Sequence, residues 1–172
     1  MEFNDVIQNR YACKKYDGTP VAKEALDAIL EAGRLAPTGK NLQGQHVYVI
    51  TKADDLAKID ELTLCRYGAP VVLLVTYDKD NMFTYPGGVA TSGVEDASIV
   101  ATHMMLAATA NGIENCWLNF FDPAKAKELF HLPENEEVVL LLDLGHAADV
   151  PAGKPLPNHT SRKPLSETVT YL

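Results

Sequence analysis

Cysteine is scarce and scattered in this chain. Cys13, Cys65 and Cys116 make neither a CxxC unit nor a disulfide framework, so reduced thiols are expected. Basic residues are outnumbered, 15 Lys and Arg against 23 Asp and Glu, for a formal net charge of −8. That balance lacks the broad basic surface that nucleic acid or an anionic membrane would require, although a small anion could still occupy a local positive pocket. Long hydrophobic runs are absent too: "APVVLLVTY" and "VVLLLDLG" are too short and interrupted to span a bilayer. The opening "MEFNDVIQNR" carries acids and amides where a secretory signal has a basic start and an apolar run, which predicts a cytoplasmic protein. His46, His103, His131, His146 and His159 form no HExxH or other compact ligand pattern, so no metal is expected and each reads as structural or surface. There is no glycine-rich phosphate loop, internal repeat or low-complexity tract.

What is present is ordinary globular material, 47% hydrophobic and 22% charged over 172 residues, enough for a single domain spanning 1–172 with a sizeable core. Residues 3–9 are predicted as a short helix. Along "VAKEALDAILEAGRL", Leu26, Ile29, Leu30 and Ala32 or Gly33 share one helical side while Lys23, Glu24 and Asp27 face water, with Pro20 and Pro37 as punctuation. A second helix is expected over 53–62 and a buried one within 91–110, where His103 lies inside an apolar segment and should have a satisfied interior hydrogen bond. "HVYVI", "APVVLLVTY", "ENCWLNFF" and "EEVVLLLDLG" have strand lengths and compositions. The alternation lacks the punctuation of repeated mononucleotide-binding units, so a mixed sheet between helices is expected. The proline-rich segment 147–172 reads as an extended arm closing in the strand-like tail "ETVTYL", suited to packing across another element or another subunit.

Three polar constellations stand out, each with a plainer reading beside it. Arg10 offers a rigid fork of donors for phosphate and Lys14 a mobile positive charge, or both belong to a basic surface turn. In "LAPTGKNLQGQ", Thr38, Asn41 and Gln43 offer hydrogen bonds and Gly39 permits close backbone approach, or this is a helix-ending loop with Lys40 in solvent. In "HTSRKPL", Thr160 and Arg162 add donors or form a solvated linker. Glu95 and Asp96 read as a solvated helix start, and Cys116 and Trp117 as packing. Cys13 beside Lys14 is not a catalytic candidate. Phe83 and Tyr85, near Pro86, Gly87 and Gly88, are candidates for an aromatic substrate pocket on a mobile loop, against a surface excursion with one aromatic packed beneath it.

Taken in order, "RYACKKYDGTPV", "APTGKNLQGQHVYVI", "ANGIENCWLNFFD" and "HTSRKPLSETV" resemble four landmarks of the nitroreductase family of flavin-dependent enzymes, across nearly the whole chain. The resemblance implies an α+β fold with a mixed, mainly antiparallel sheet flanked by helices, and an FMN-containing homodimer with its sites at the subunit boundary. It implies phosphate contacts from Arg10, Thr160 and Arg162, with Tyr11 and Ala12 beside them, and Lys14 as the electrostatic stabiliser of the flavin's pyrimidine side. Thr38, Gly39 and Asn41 would come from the partner subunit, and the backbone at Asn119 and Phe120 would lie near the flavin N5. No covalent catalytic side chain is implied. Tyr11 and Ala12 replace a basic or imidazole residue and a serine, and Gly44 and Gln45 stand where proline and tryptophan are common. The interval after "APVVLLVTY" leaves little room for an added helix pair, which implies an open substrate pocket.

The activity implied is FMN-dependent transfer of reducing equivalents from NADH or NADPH through flavin N5 to a nitroaromatic, quinone or related small acceptor by a ping-pong mechanism. The alternatives are a non-enzymatic FMN storage, carrier or redox-sensing protein, or a structural α+β protein without a cofactor. The sequence does not choose between NADH and NADPH.

Overall fold

A computed structural model describes residues 1–172. Its regular elements are α1 (Phe3–Asn9), α2 (Lys23–Arg34), β1 (Gln45–Ile50), α3 (Ala53–Leu62), β2 (Val71–Asp78), α4 (Gly93–Ala110), β3 (Glu114–Leu118), α5 (Pro123–Leu129) and β4 (Glu136–Gly145). The strands form one sheet in the order β1-β2-β4-β3, with every neighbouring pair antiparallel. The only parallel pairing is an isolated bridge between Ala12 and Asn115, which lays the N-terminal segment beside β3. The architecture is α+β, as expected.

The apolar runs follow from the two central strands being covered on both faces. On one face Leu73, Val75, Leu140 and Leu142 pack with Ile29 of α2 and with Val100 and Met104 of α4. On the other, Val72, Leu74 and Leu141 pack with Ile59 of α3 and Ala126 of α5. Burial of each such aliphatic side chain stabilises the fold by roughly 1.5–3 kcal/mol. The period of two along β2 therefore divides neighbours between separate cores. No helix is long and apolar enough to cross a membrane.

Four local expectations are corrected. β3 ends at Leu118, and the chain from Asn119 leaves the sheet. It enters the unforeseen α5, whose start is set by Asp122 accepting backbone hydrogen bonds from Ala124 and Lys125, with Pro123 in the first turn. His103 is exposed, its Nδ1 paired with the Ile99 carbonyl at 2.9 Å, because α4 turns that side outward. "ETVTYL" forms no strand: the last turn is a 3₁₀ helix over Leu165–Glu167, and Tyr171 and Leu172 are exposed. A β-favouring composition makes a strand only where a sheet edge receives it. Asp96 is the fourth correction, and it bears on the site.

Candidate functional site

The predicted residues fall into two groups at opposite ends of α4. The first gathers along the outer side of β3. Cys13 donates its backbone N–H to the Asn115 carbonyl at 3.0 Å and Ala12 lies opposite Asn115, after which the segment turns across the end of the sheet, with Tyr16 bridging to Ala147 and donating its N–H to the Tyr67 carbonyl. Arg10 and Tyr11 line an open cavity of about 330 Å³ with Thr109, Gly112 and Glu114, where α4 ends and β3 begins. Thr160 and Arg162 come to the same edge, lining a neighbouring cavity with Gln8 and Asn9.

Tyr11 makes that approach possible. Its hydroxyl donates to the Gly153 carbonyl at 2.9 Å, and its ring meets His159 edge-on at 6.1 Å between centroids. Burial, then the nearby Glu114 carboxylate, push its hydroxyl up to about 12, so it remains a donor at neutral pH. Tyr11 thus ties the arm to the N-terminal segment instead of presenting its hydroxyl to a ligand. Ala12 packs against the core beneath α3 and α5. Lys14 is exposed and Arg10 half-buried, and the chain's ion pairs lie elsewhere, on helix surfaces and around Glu136, Glu137 and Asp149. Phe120 is 78% exposed at the end of this edge. Asn119 is exposed, but its side chain is engaged, the amide donating to the Val139 carbonyl at 2.8 Å and its oxygen accepting from the Trp117 indole N–H.

The second group surrounds the start of α4. Thr38, Gly39, Phe83 and Tyr85 line one cavity of about 280 Å³, together with Lys40 and Glu95. Asn41 follows in the same 3₁₀ turn and is exposed. Lys40, Asn41 and Gln43 all have left-handed backbone, with φ of 51°, 57° and 54°. Each such non-glycine residue costs on the order of 1 kcal/mol, so the loop needs external support.

Asp96 provides it. From the sequence this residue reads as part of a solvated helix start, yet it is 6% exposed. Its carboxylate accepts from the Gly39 N–H at 2.8 Å and from the Ser92 hydroxyl at 2.7 Å. Ser92 Oγ in turn accepts from the Phe83 N–H at 3.0 Å, so one carboxylate fixes the loop, the helix start and the aromatic excursion together. Adjacent acids in the sequence carry no signal of this, because it depends on where Gly39 arrives in space. The 85–90 turn is itself a small hairpin, with Tyr85 donating its N–H to the Ala90 carbonyl and Gly87 and Gly88 at positive φ.

Gly44 has a related explanation. A Cβ there would lie 2.1 Å from the Asn81 carbonyl oxygen, and the Asn81 side-chain amide donates to the Leu42 carbonyl at 3.0 Å. The excursion after β2 passes too close for any side chain at position 44. Gly44→Ala should therefore destabilise the protein by about 1–3 kcal/mol and lower its melting temperature. An unchanged melting curve would show that the segment shifts freely.

The charge of the first group, Arg10 with Arg162 nearby, suits a phosphate-bearing ligand. Arg10 supplies a forked donor and Lys14 an exposed ammonium that enters no ion pair, while the Thr38 loop offers backbone and side-chain polar groups. Similarity to known proteins points the same way. The Nitroreductase family matches residues 7–67 and 66–146. A nitroreductase family protein from Clostridium difficile is 37% identical and superposes with a TM-score of 0.92, covering 99% of this chain and 98% of that one. An FMN complex from Desulfovibrio desulfuricans is 27% identical with a TM-score of 0.80, covering 100% and 97%. The NADPH-flavin oxidoreductase of Vibrio harveyi is 27% identical over 168 residues, 90% of this chain and 70% of that protein.

Proposed function

Because the chain belongs to the nitroreductase family, whose members act as oxidoreductases, we propose that it is an FMN-dependent NAD(P)H oxidoreductase working as a homodimer. FMN, when bound, would supply two-electron chemistry at its N5 between NADH or NADPH as donor and a nitroaromatic, quinone or related small acceptor, in ping-pong alternation. The observation that carries this reading is the separation of the two residue groups. One lies by Thr109 and Gly112 and the other by Asp96 and Ile99, about 20 Å apart at 1.5 Å of helix rise per residue. A single chain does not close one site from both.

A second copy laid antiparallel along α4 would set each first group against the partner's second group and complete two equivalent sites. The outward side of α4 suits that role, since it leaves Val94 exposed and Leu106 half-buried. The exposed Leu165, Val169, Tyr171 and Leu172 of the arm are further apolar surface for a partner to cover. In this arrangement Arg10, with Thr160 and Arg162, holds the phosphate. Lys14 keeps its ammonium where negative charge develops on the pyrimidine side of the ring. The backbone at Asn119 and Phe120 orients the reactive edge, and Thr38, Gly39 and Asn41 of the partner subunit close the other side. Phe83 and Tyr85 flank the acceptor. The full span 1–172, arm included, then acts as one unit in the cytoplasm, with Cys13, Cys65 and Cys116 as free thiols.

The test is the visible spectrum of the purified protein during anaerobic addition of NADH and then NADPH. A flavin spectrum that bleaches with either donor, and returns when a quinone is added, is expected. A flavin spectrum that stays oxidised with both donors would overturn the oxidoreductase reading in favour of FMN storage or sensing.

A further inference from the structure

Lys40 is the one cation of the cavity at the start of α4; its side chain is exposed, and its backbone sits in a supported loop. Its left-handed backbone belongs to the loop held by Asp96, and its Nζ lies 4.7 Å from the centroid of the Phe83 ring. Phe83 meets Tyr85 edge-on at 5.4 Å, so a cation and two rings share one small space. A cation over a ring face gains attraction from the quadrupole but forms no full hydrogen bond, leaving ammonium donors for another partner. No carboxylate of the chain takes that place. Asp96 is turned inward onto Gly39 and Ser92, and Glu95, which also lines the cavity, makes no ion pair with Lys40. A cavity of about 280 Å³ is at the small end of ligand sites, which run from roughly 300 to 1,000 Å³, and suits a single ring better than a dinucleotide.

We infer that Lys40, Phe83 and Tyr85 form a recognition site for the acidic group of an aromatic electron acceptor, so that this chain selects carboxylated rings over neutral ones. The inference rests on the oxidoreductase reading for its purpose and on the cavity alone for its chemistry. The acceptor ring packs against Phe83 and Tyr85 while its carboxylate takes the free donors of Lys40. Glu95 opposes the same anion and limits its affinity.

The experiment is calorimetric titration of the oxidised, flavin-loaded protein with benzoate, benzyl alcohol and benzylamine. Benzoate should bind most tightly. Lys40→Ala should weaken benzoate about tenfold relative to benzyl alcohol, the equivalent of one charge-assisted contact at an exposed site. Lys40→Arg should retain most of the preference, and Glu95→Gln should tighten benzoate. In turnover with NADH, Lys40→Ala should lower the ratio of kcat/KM for 4-nitrobenzoate over nitrobenzene by a similar factor.

Benzylamine or benzyl alcohol binding as well as benzoate, or an equal loss for all three in Lys40→Ala, would overturn the inference. So would a loss that falls on NADPH relative to NADH, since the anion would then be the 2′-phosphate of the donor. The titration needs no electron transfer, which separates the two readings. Benzoate binding through Lys40 in a protein that neither nicotinamide reduces would sink the oxidoreductase reading alone, and reduction without benzoate selectivity would sink only this one.

Discussion

Arg10→Ala should lose FMN on desalting, with affinity reduced about a hundredfold or more. A forked, charge-assisted contact to phosphate contributes about 3 kcal/mol, and each 1.4 kcal/mol is tenfold in affinity. Arg10 is half-buried beside the last turn of α4, with no carboxylate in an ion pair to hold its guanidinium. Arg10→Lys should recover only part of the loss, because an ammonium keeps the charge but not the fork. Fluorescence titration of flavin-free protein with FMN measures both. Undiminished affinity in Arg10→Ala would move the phosphate away from this edge and remove the main role assigned to the N-terminal segment.

The second large effect concerns stability. Asp143 lies in β4 with 0% exposure, and neither carboxylate oxygen has a hydrogen-bond partner. Burial pushes its carboxyl well above the usual range. Arg66 opposes that shift, but its guanidinium is taken up by Asp60 and by the Ala69 carbonyl. The folded protein therefore holds Asp143 protonated at a pH where the unfolded chain has lost the proton. Because the folded state binds more protons, stability falls as pH rises from the unfolded value near 4 toward the raised folded value.

Asp143→Asn removes the ionisation and keeps the shape. It should match the parent below about pH 4 and become more stable above it, by roughly 1.4 kcal/mol for each pH unit up to the folded value. Denaturant unfolding of both proteins at several pH values between 4 and 8 provides the check. Parallel pH profiles would mean that Asp143 stays ionised in the fold.

Much of the architecture was legible because it rests on local periodicity. The paired apolar runs of β2 and β4, the single apolar side of α2 and the boundaries of α3 all follow from short-range pattern. Arg10 and Lys14 stand out in the sequence because they are close together in an acidic chain, and the bridge from Ala12 to Asn115 brings their segment to β3. What escaped depended on tertiary approach. Asp96 reads like any acid in a helix's first turn until Gly39 and Ser92 converge on it, and the Phe83 ring beneath the exposed Lys40 has no local sign either. Asp143, one charge within "VVLLLDLG", carries no local sign of its burial, because a strand pattern does not reveal that both faces are sealed. α5 did carry a local sign, the Asp-Pro start of "FDPAKAKEL", but the preceding apolar run drew the strand too far. The tail failed the other way, a β-favouring segment with no sheet edge to receive it.

The fastening of the 37–45 loop to the 78–92 excursion has a consequence for how such chains diverge. The absent side chain at Gly44, the amide of Asn81 and the Ser92–Asp96 relay make the two segments one fitted unit, although more than 30 residues separate them in the chain. A relative bearing a side chain at the position of Gly44 must route its excursion along another path. Grafting either segment alone into such a relative would import half of a fitted joint, so exchange of acceptor preference between members would require moving both together.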